Sequence, residues 1–159
     1  NNYGNFCQRT LSFAEQNCEN KIPENYDFTN DDLKILNSFS KELINIRNYM
    51  DKQELNEYVK FIIDRIFESN KYFNDQAPWS KKDDKKRLNT IIFVSLEMIR
   101  KISILLFPII PETATKALMS LSIDRDQINV ESINNHKYLK HGTVLMNKGI
   151  LFKKIKKND

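Results

Sequence analysis

A chain of 159 residues with only three glycines and four prolines has little material for turns, which argues against an all-β fold built from many hairpins. Its length suits one domain with room for a hydrophobic core. The formal net charge of +4 permits a polyanionic partner without demanding one. No apolar run approaches the ~18 residues of a spanning helix, and the opening NNYGNFCQR lacks the features of a signal peptide. A cytoplasmic setting without membrane contact is therefore expected. The chain opens in mid-pattern without a methionine, as a piece of something larger would.

From Asn2 to Asn17 an amphipathic stripe carries Phe6, Leu11, Phe13 and Ala14, continued by Cys18. Cys7 and Cys18 share this pattern, so their α-carbons would stand roughly 16 Å apart at ~1.5 Å per residue, too far for a disulfide. Reduced, buried thiols are expected. Residues 21–28, with Pro23, read as a connection able to run back ~26 Å along the bundle at ~3.3 Å per extended residue. Thr29 with Asp32 makes a shortened capping box. It opens a helix whose apolar positions are Leu33, Leu36, Phe39, Leu43 and Ile46.

Asp51 with Glu54 repeats the start signal, and Leu55, Tyr58, Val59, Ile62, Ile66 and Phe67 continue at helical spacing. After a turn at Pro78, DDKKRLNTIIFVSLEMIRKISILLF is the most apolar segment and reads as the central helix. Pro108 ends it, and Pro111 begins a fifth helix reaching about Leu121. Asp124 to Tyr138 is polar and poorly periodic, with a possible helical turn over 125–133. HGTVLMNKGILFKKI has β-rich ends around Asn147-Lys148-Gly149 and reads as a short hairpin or extended tail over 143–155. The sum is an all-α protein: a five-helix bundle over 1–122 and an irregular extension of the same domain over 123–159.

Catalytic constellations are lacking in the sequence. His136 and His141 flank a tyrosine in a loop with no cysteine or carboxylate at metal-ligand spacing, so solvated histidines are expected rather than a zinc site. There is no phosphate-binding glycine loop, no G-x-S-x-G and no Cys–His arrangement with a third partner. Glu97 precedes Arg100 by three residues, which suggests an ion pair on a helix face more than a buried acid. No cofactor, metal or catalytic residue is expected in this chain.

Recognition remains. Asn5 and Arg9 are four apart, on one helix face, where an amide and a guanidinium together offer donors and an acceptor to a base edge. From spacing alone, a solvated polar face is the commoner meaning. The chain's one tryptophan, Trp79, follows Pro78 in a turn, where burial is hardest to arrange. Such a ring either caps the core or offers a platform for an unpaired base, worth about 1–3 kcal/mol. Lys81, Lys82, Lys85, Lys86 and Arg87 surround the start of the central helix, tempered by Asp83 and Asp84. They read as a solvated helix start or as contacts to backbone phosphates.

GNFCQRTLSF, NKYFNDQAPWSKKDD and EMIRKISILLFPIIPETATKAL resemble the anticodon-binding helical domain of methionyl-tRNA synthetases, class I enzymes. That family has a G-N-hydrophobic-x-x-R helix, then N-x-Y-h-x-x-x-x-P-W, then a helix ending L-x-P-h-h-P. The terminal GILFKKI is similar to the family's L-F-P-R-I ending, with Lys153 in place of proline and Lys154 in place of arginine. The resemblance implies the five-helix anticodon-binding bundle of class Ia synthetases. By it, Asn5 and Arg9 match the residues that read the first anticodon base, the cytosine of CAU. Trp79 matches the indole that stacks on that base, and Pro78 fixes the turn presenting it. The implied partners are the anticodon stem-loop of tRNA(Met) and a catalytic Rossmann domain of the same chain. The HIGH and KMSKS signatures of that domain do not occur here, and ATP would be a substrate of the full-length enzyme. The bundle of an isoleucine, valine, leucine or cysteine enzyme, or a helical protein-interaction bundle, are the competing readings.

Overall fold

The computed structural model describes residues 2–40 and 42–146. Its α-helices are α1 (Asn2–Asn17), α2 (Asn30–Leu36), α3 (Leu43–Asp51), α4 (Leu55–Gln76), α5 (Lys85–Leu106) and α6 (Pro111–Ser120). Short 3-10 turns follow α2 and α4, and two more lie at Arg125–Gln127 and Val130–Asn134. The second of the five expected helices is thus split into α2 and α3. Every residue from Thr90 to Leu106 is buried, because α1, α2, α4 and α6 all pack on α5.

The directions of the helices decide where the motifs meet. The Tyr3 hydroxyl bonds Ser103 Oγ at 2.6 Å, and at the other end of α1 the Lys85 ammonium donates to the Asn17 carbonyl. The Tyr58 hydroxyl donates to the Leu105 carbonyl, and Arg87 reaches Gln76 Oε1 at 2.7 Å. Helices α1 and α4 therefore run in the same sense, both antiparallel to α5, and finish at its amino end. The chain returns between them along α5. The Tyr26 N–H donates to Thr90 Oγ1 at 3.0 Å, and Phe28 stacks on Phe93 with centroids 6.4 Å apart. Lys85 to Phe93 is only ~12 Å of helix, so the connection covers about half the expected run. Helix α2 carries the rest.

Thr29 caps α2 as its sequence indicates. Its Oγ1 accepts from the Asp32 N–H at 3.3 Å, while Asp32 Oδ2 accepts from the Thr29 N–H at 3.0 Å. The break after Leu36 has a tertiary cause. The buried Lys101 ammonium donates to the Leu36 carbonyl at 3.2 Å, satisfying an orphan acceptor at the negative end of the helix. Phe39 then turns into the core, edge-on to Phe61. Asp51 proves to be the last residue of α3 rather than a start signal.

Glu97 and Arg100 pair as expected, Arg100 Nε donating to Glu97 Oε2 at 2.7 Å, but both side chains are fully buried. What buries them is the extension. Arg100 also donates to Ser132 Oγ at 3.0 Å and to the carbonyls of Ser132 at 3.1 Å and Asn135 at 2.7 Å. Glu97 Oε1 accepts from the Leu139 N–H at 2.7 Å, and the Arg100 guanidinium lies 4.6 Å from the Tyr138 ring centroid. His136, expected in solvent, is half-buried: Nδ1 lies 2.6 Å from the Lys101 ammonium and Nε2 2.8 Å from Asn37 Oδ1. Since an amide oxygen only accepts, Nε2 carries the proton to Asn37 and Nδ1 accepts from Lys101. Burial, with Lys101 and Arg100 adding to it, pushes the imidazole down to about 4 and keeps it neutral.

Burial likewise pushes Lys101 down to about 7, Glu97 partly opposing the fall and Arg100 adding to it. An unfolded lysine keeps its proton to roughly pH 10. The unfolded chain therefore binds more protons above pH 7, and stability should rise with pH. The clean window closes near pH 9, where ionisation of an unfolded thiol begins to oppose it. Burial holds the folded Cys7 thiol up at about 12. Urea titrations of Lys101→Met at pH 7 and 9 should lose the rise that the parent chain shows; an identical rise would mean Lys101 keeps an ordinary pKa.

The segment 143–146 pairs with the α1–α2 connection. Ile22 donates to Thr143 O at 2.8 Å, Gly142 to Ile22 O at 2.9 Å and Leu145 to Asn20 O at 2.9 Å. Lys21 and Val144 form an isolated antiparallel bridge. Gly142, at φ +83, supplies the left-handed turn into this contact. Leu145 is buried. The tail expected over 143–155 thus begins as a clasp on residues 20–22, and its part from 147 lies outside the described residues. Among those described, no helix is long and apolar enough to cross a membrane.

Candidate nucleic-acid interface

Helix α4 stops at Gln76 because Pro78 has no N–H and disfavours the α conformation at the residue before it. Ala77 adopts φ 45, ψ 65, and its N–H still bonds the Phe73 carbonyl at 3.2 Å. Pro78 is buried and opens a single 3-10 turn, pinned by Ser80 Oγ donating to the Ala77 carbonyl at 2.7 Å. That turn leaves the Trp79 ring 47% exposed. Its inner edge rests on Phe73, centroids 6.1 Å apart and tilted by 54°. Phe73 is itself fixed edge-on by Phe6 and Phe13, at 6.4 and 6.3 Å.

Arg9 meets the same ring. Its Cζ lies 4.9 Å from the Phe73 centroid, and Nη2 donates to Asn74 Oδ1 at 2.7 Å. With Trp79 at 6.1 Å from that ring, guanidinium and indole are separated by at most about 11 Å. Asn5, one turn before Arg9, is exposed. Both line a surface cavity of about 610 Å³ whose wall includes Gln8, Phe67 and Asn74. Trp79 is not part of that wall; the Phe73 ring joins the two.

The basic run divides. Arg87 leaves the set of phosphate candidates: its side chain is 17% exposed and forms a double hydrogen bond with the fully buried Asp32 carboxylate, at 2.7 and 2.9 Å. The same guanidinium holds Gln76 Oε1, and the Tyr72 hydroxyl donates to Asp32 Oδ1 at 2.6 Å. This cluster anchors the end of α4 one residue before the Ala77–Trp79 turn. Lys85 caps α1, as above, and the Lys86 ammonium lies 5.4 Å from the Tyr26 ring centroid. Among the described residues, Lys81 and Lys82 have no ion-pair partner.

Phe73, Asn74 and Asp32 escaped sequence reasoning. Phe73 and Asn74 sit inside NKYFND, but no local spacing connects them with Arg9, some 65 residues earlier. Asp32 carried a signal only as half of a capping box.

Solved structures similar to this fold include methionyl-tRNA synthetases. The free-state enzyme of Mycobacterium tuberculosis matches 96% of this chain and 32% of its own with a TM-score of 0.89 at 28% identity. The same synthetase in complex with methionyl-adenylate gives a TM-score of 0.88. The methionine–tRNA ligase of Brucella suis is 36% identical over 128 residues, 80% of this chain and 25% of that protein. That of Rickettsia conorii is 32% identical over 158 residues, 97% of this chain and 31% of that protein. The fold is therefore that of the helical domain of class I methionine enzymes. The profile of the family described as anticodon binding domain of methionyl tRNA ligase matches residues 22–159, and the chain belongs to that family. The chain spans about a quarter to a third of the length of these relatives, and the profile match begins after α1, leaving Asn5 and Arg9 outside it.

Proposed function

We propose that this domain reads the anticodon of tRNA(Met) for a cytoplasmic methionine–tRNA ligase, in which a separate catalytic domain joins methionine to the tRNA using ATP. The observation that carries this reading is the sharing of Phe73 by Arg9 and the half-exposed Trp79. A flipped cytosine has one flat face for the indole and one edge for the polar pair. The bond from Arg9 to Asn74 leaves the remaining guanidinium N–H groups for the acceptors of cytosine, O2 and N3. The Asn5 carbonyl suits its amino donor. Pro78 sets the angle of the ring, and Lys81 and Lys82 meet the phosphates beside it.

Titration of a CAU stem-loop against a loop altered at its first anticodon base tests the roles. Arg9→Ala should lose about 1–3 kcal/mol of discrimination for cytosine, with Asn5→Ala following it. Trp79→Ala should weaken both loops by about 1–3 kcal/mol, because every base offers a π-face. An equal loss for both loops with Arg9→Ala would contradict direct readout. RNA binding indifferent to Trp79→Ala would favour a protein-interaction bundle instead. Across salt concentrations, log affinity should fall by roughly 0.7 to 0.9 per phosphate neutralised, less steeply in a Lys81→Ala, Lys82→Ala chain.

A further inference from the structure

Phe67 belongs by spacing to the apolar stripe of α4, yet its ring is 60% exposed and Ile63, one turn earlier, is 57% exposed. Phe67 instead forms part of the wall of the cavity that holds Asn5 and Arg9. We infer that Phe67 is a second stacking platform, for an unpaired base of the same RNA loop other than the one on Trp79. This rests on the anticodon reading above and adds a contact that the Asn5–Arg9 and Pro78–Trp79 motifs do not contain.

The chemistry of the wall selects the occupant. Beside the aromatic ring stand five carboxamides, those of Asn2, Asn5, Gln8, Asn70 and Asn74. An apolar peptide face would strip water from these groups without replacing their hydrogen bonds. A base offers both what the ring needs and what the amides need: a flat π-face, and an edge carrying donors and acceptors. Asn74 has its carbonyl oxygen engaged by Arg9, which leaves its NH2 as a donor. Asn70 has its NH2 engaged by the carbonyls of Asn2 and Ile66, at 3.2 and 3.1 Å, which leaves its oxygen as an acceptor. One donor and one acceptor thus lie a turn apart on α4. The wall also carries Lys71, whose ammonium is paired with the Asp75 carboxylate at 2.6 Å, which leaves Arg9, among the described residues, as its cation without an ion-pair partner.

Spacing separates the two platforms. Phe67 and Asn74 are seven residues apart, ~10.5 Å along the helix, or about three stacked nucleotide steps at ~3.4 Å each. Phe67 is accordingly assigned a base other than the one stacked on Trp79, while Arg9 borders the Phe67 wall and also lies over Phe73.

The test uses the whole chain and a CAU stem-loop. Phe67→Ala should weaken binding roughly 5- to 150-fold, equally for loops with cytosine or guanine at the first anticodon position. Phe67→Tyr, which keeps the π-face, should bind like the parent. Combining Phe67→Ala with a loop made abasic at one position at a time should locate the partner: at that position the substitution has no further effect. Unchanged affinity in Phe67→Ala, beside a clear loss in Trp79→Ala, would overturn this inference alone. Unchanged affinity in both would overturn the RNA reading. A Phe67→Ala chain that melts several degrees lower and binds RNA normally would show the ring to be a structural contact, also overturning the inference.

Discussion

Replacing Arg100 by methionine should cost about 3–5 kcal/mol of folding stability, because it leaves a buried carboxylate without its cation. The Glu97 side chain is fully enclosed and would keep only the Leu139 N–H. The carbonyls of Ser132 and Asn135 would lose their donor at the same time. The extension should loosen first, so hydrogen exchange should accelerate across 128–139 before the centre of α5 is affected. The double change Glu97→Gln, Arg100→Met should recover part of the loss, since it removes the stranded charge. A cost below 1 kcal/mol for Arg100→Met, read from urea unfolding, would mean water enters the site and this pair is not dry.

Asp32→Ala should cost a similar ~3–5 kcal/mol and should weaken RNA binding, although Asp32 lies inside the protein. The substitution strands the Arg87 guanidinium and the Tyr72 hydroxyl. Arg87 is also the group that holds Gln76 before the Ala77–Trp79 turn, so the indole platform should lose its fixed angle. The pH dependence has a definite sign. Burial alone would raise the Asp32 carboxyl, but hydrogen bonds from Arg87, Tyr72 and the Thr29 N–H bring it below the ordinary carboxylate range. Its contribution is therefore full above the unfolded value of about 3.9 and lost as pH falls through the folded value. The Asp32→Ala chain should lack that acid-limb loss. Affinity equal to the parent's, measured where Asp32→Ala is still folded, would separate this cluster from the recognition site.

Local signals carried most of the helices. Periodicity gave α1 and α5, the capping box at Thr29 gave the start of α2, and Pro78 and Pro111 marked a stop and a start. What the sequence hid depends on partners far along the chain. The break at Leu36 is made by Lys101, and the burial of Glu97 and Arg100 is made by residues 132–139. Arg87 looked like one more cation in a basic run because Asp32 lies 55 positions earlier. The proposed recognition residues were legible as two short motifs. Their meeting on Phe73 was not, since it follows from α1 and α4 running in the same sense. Phe67 was misplaced for the opposite reason: helical spacing says which face a residue shares, not whether anything covers that face.

The bridge between Lys21 and Val144 joins segments more than 120 residues apart in the sequence. A ribosome adding ~5–20 residues per second makes the second half of this clasp roughly 6–25 s after the first. During that interval α2 to α6 are made, and each of α1, α2, α4 and α6 can meet α5 before Leu145 joins the core. The Asn20 carbonyl and the Ile22 N–H and carbonyl meanwhile keep company with water. The clasp, with the Met146 N–H that bonds the Ser120 carbonyl, is thus among the last described contacts to become available to a nascent chain.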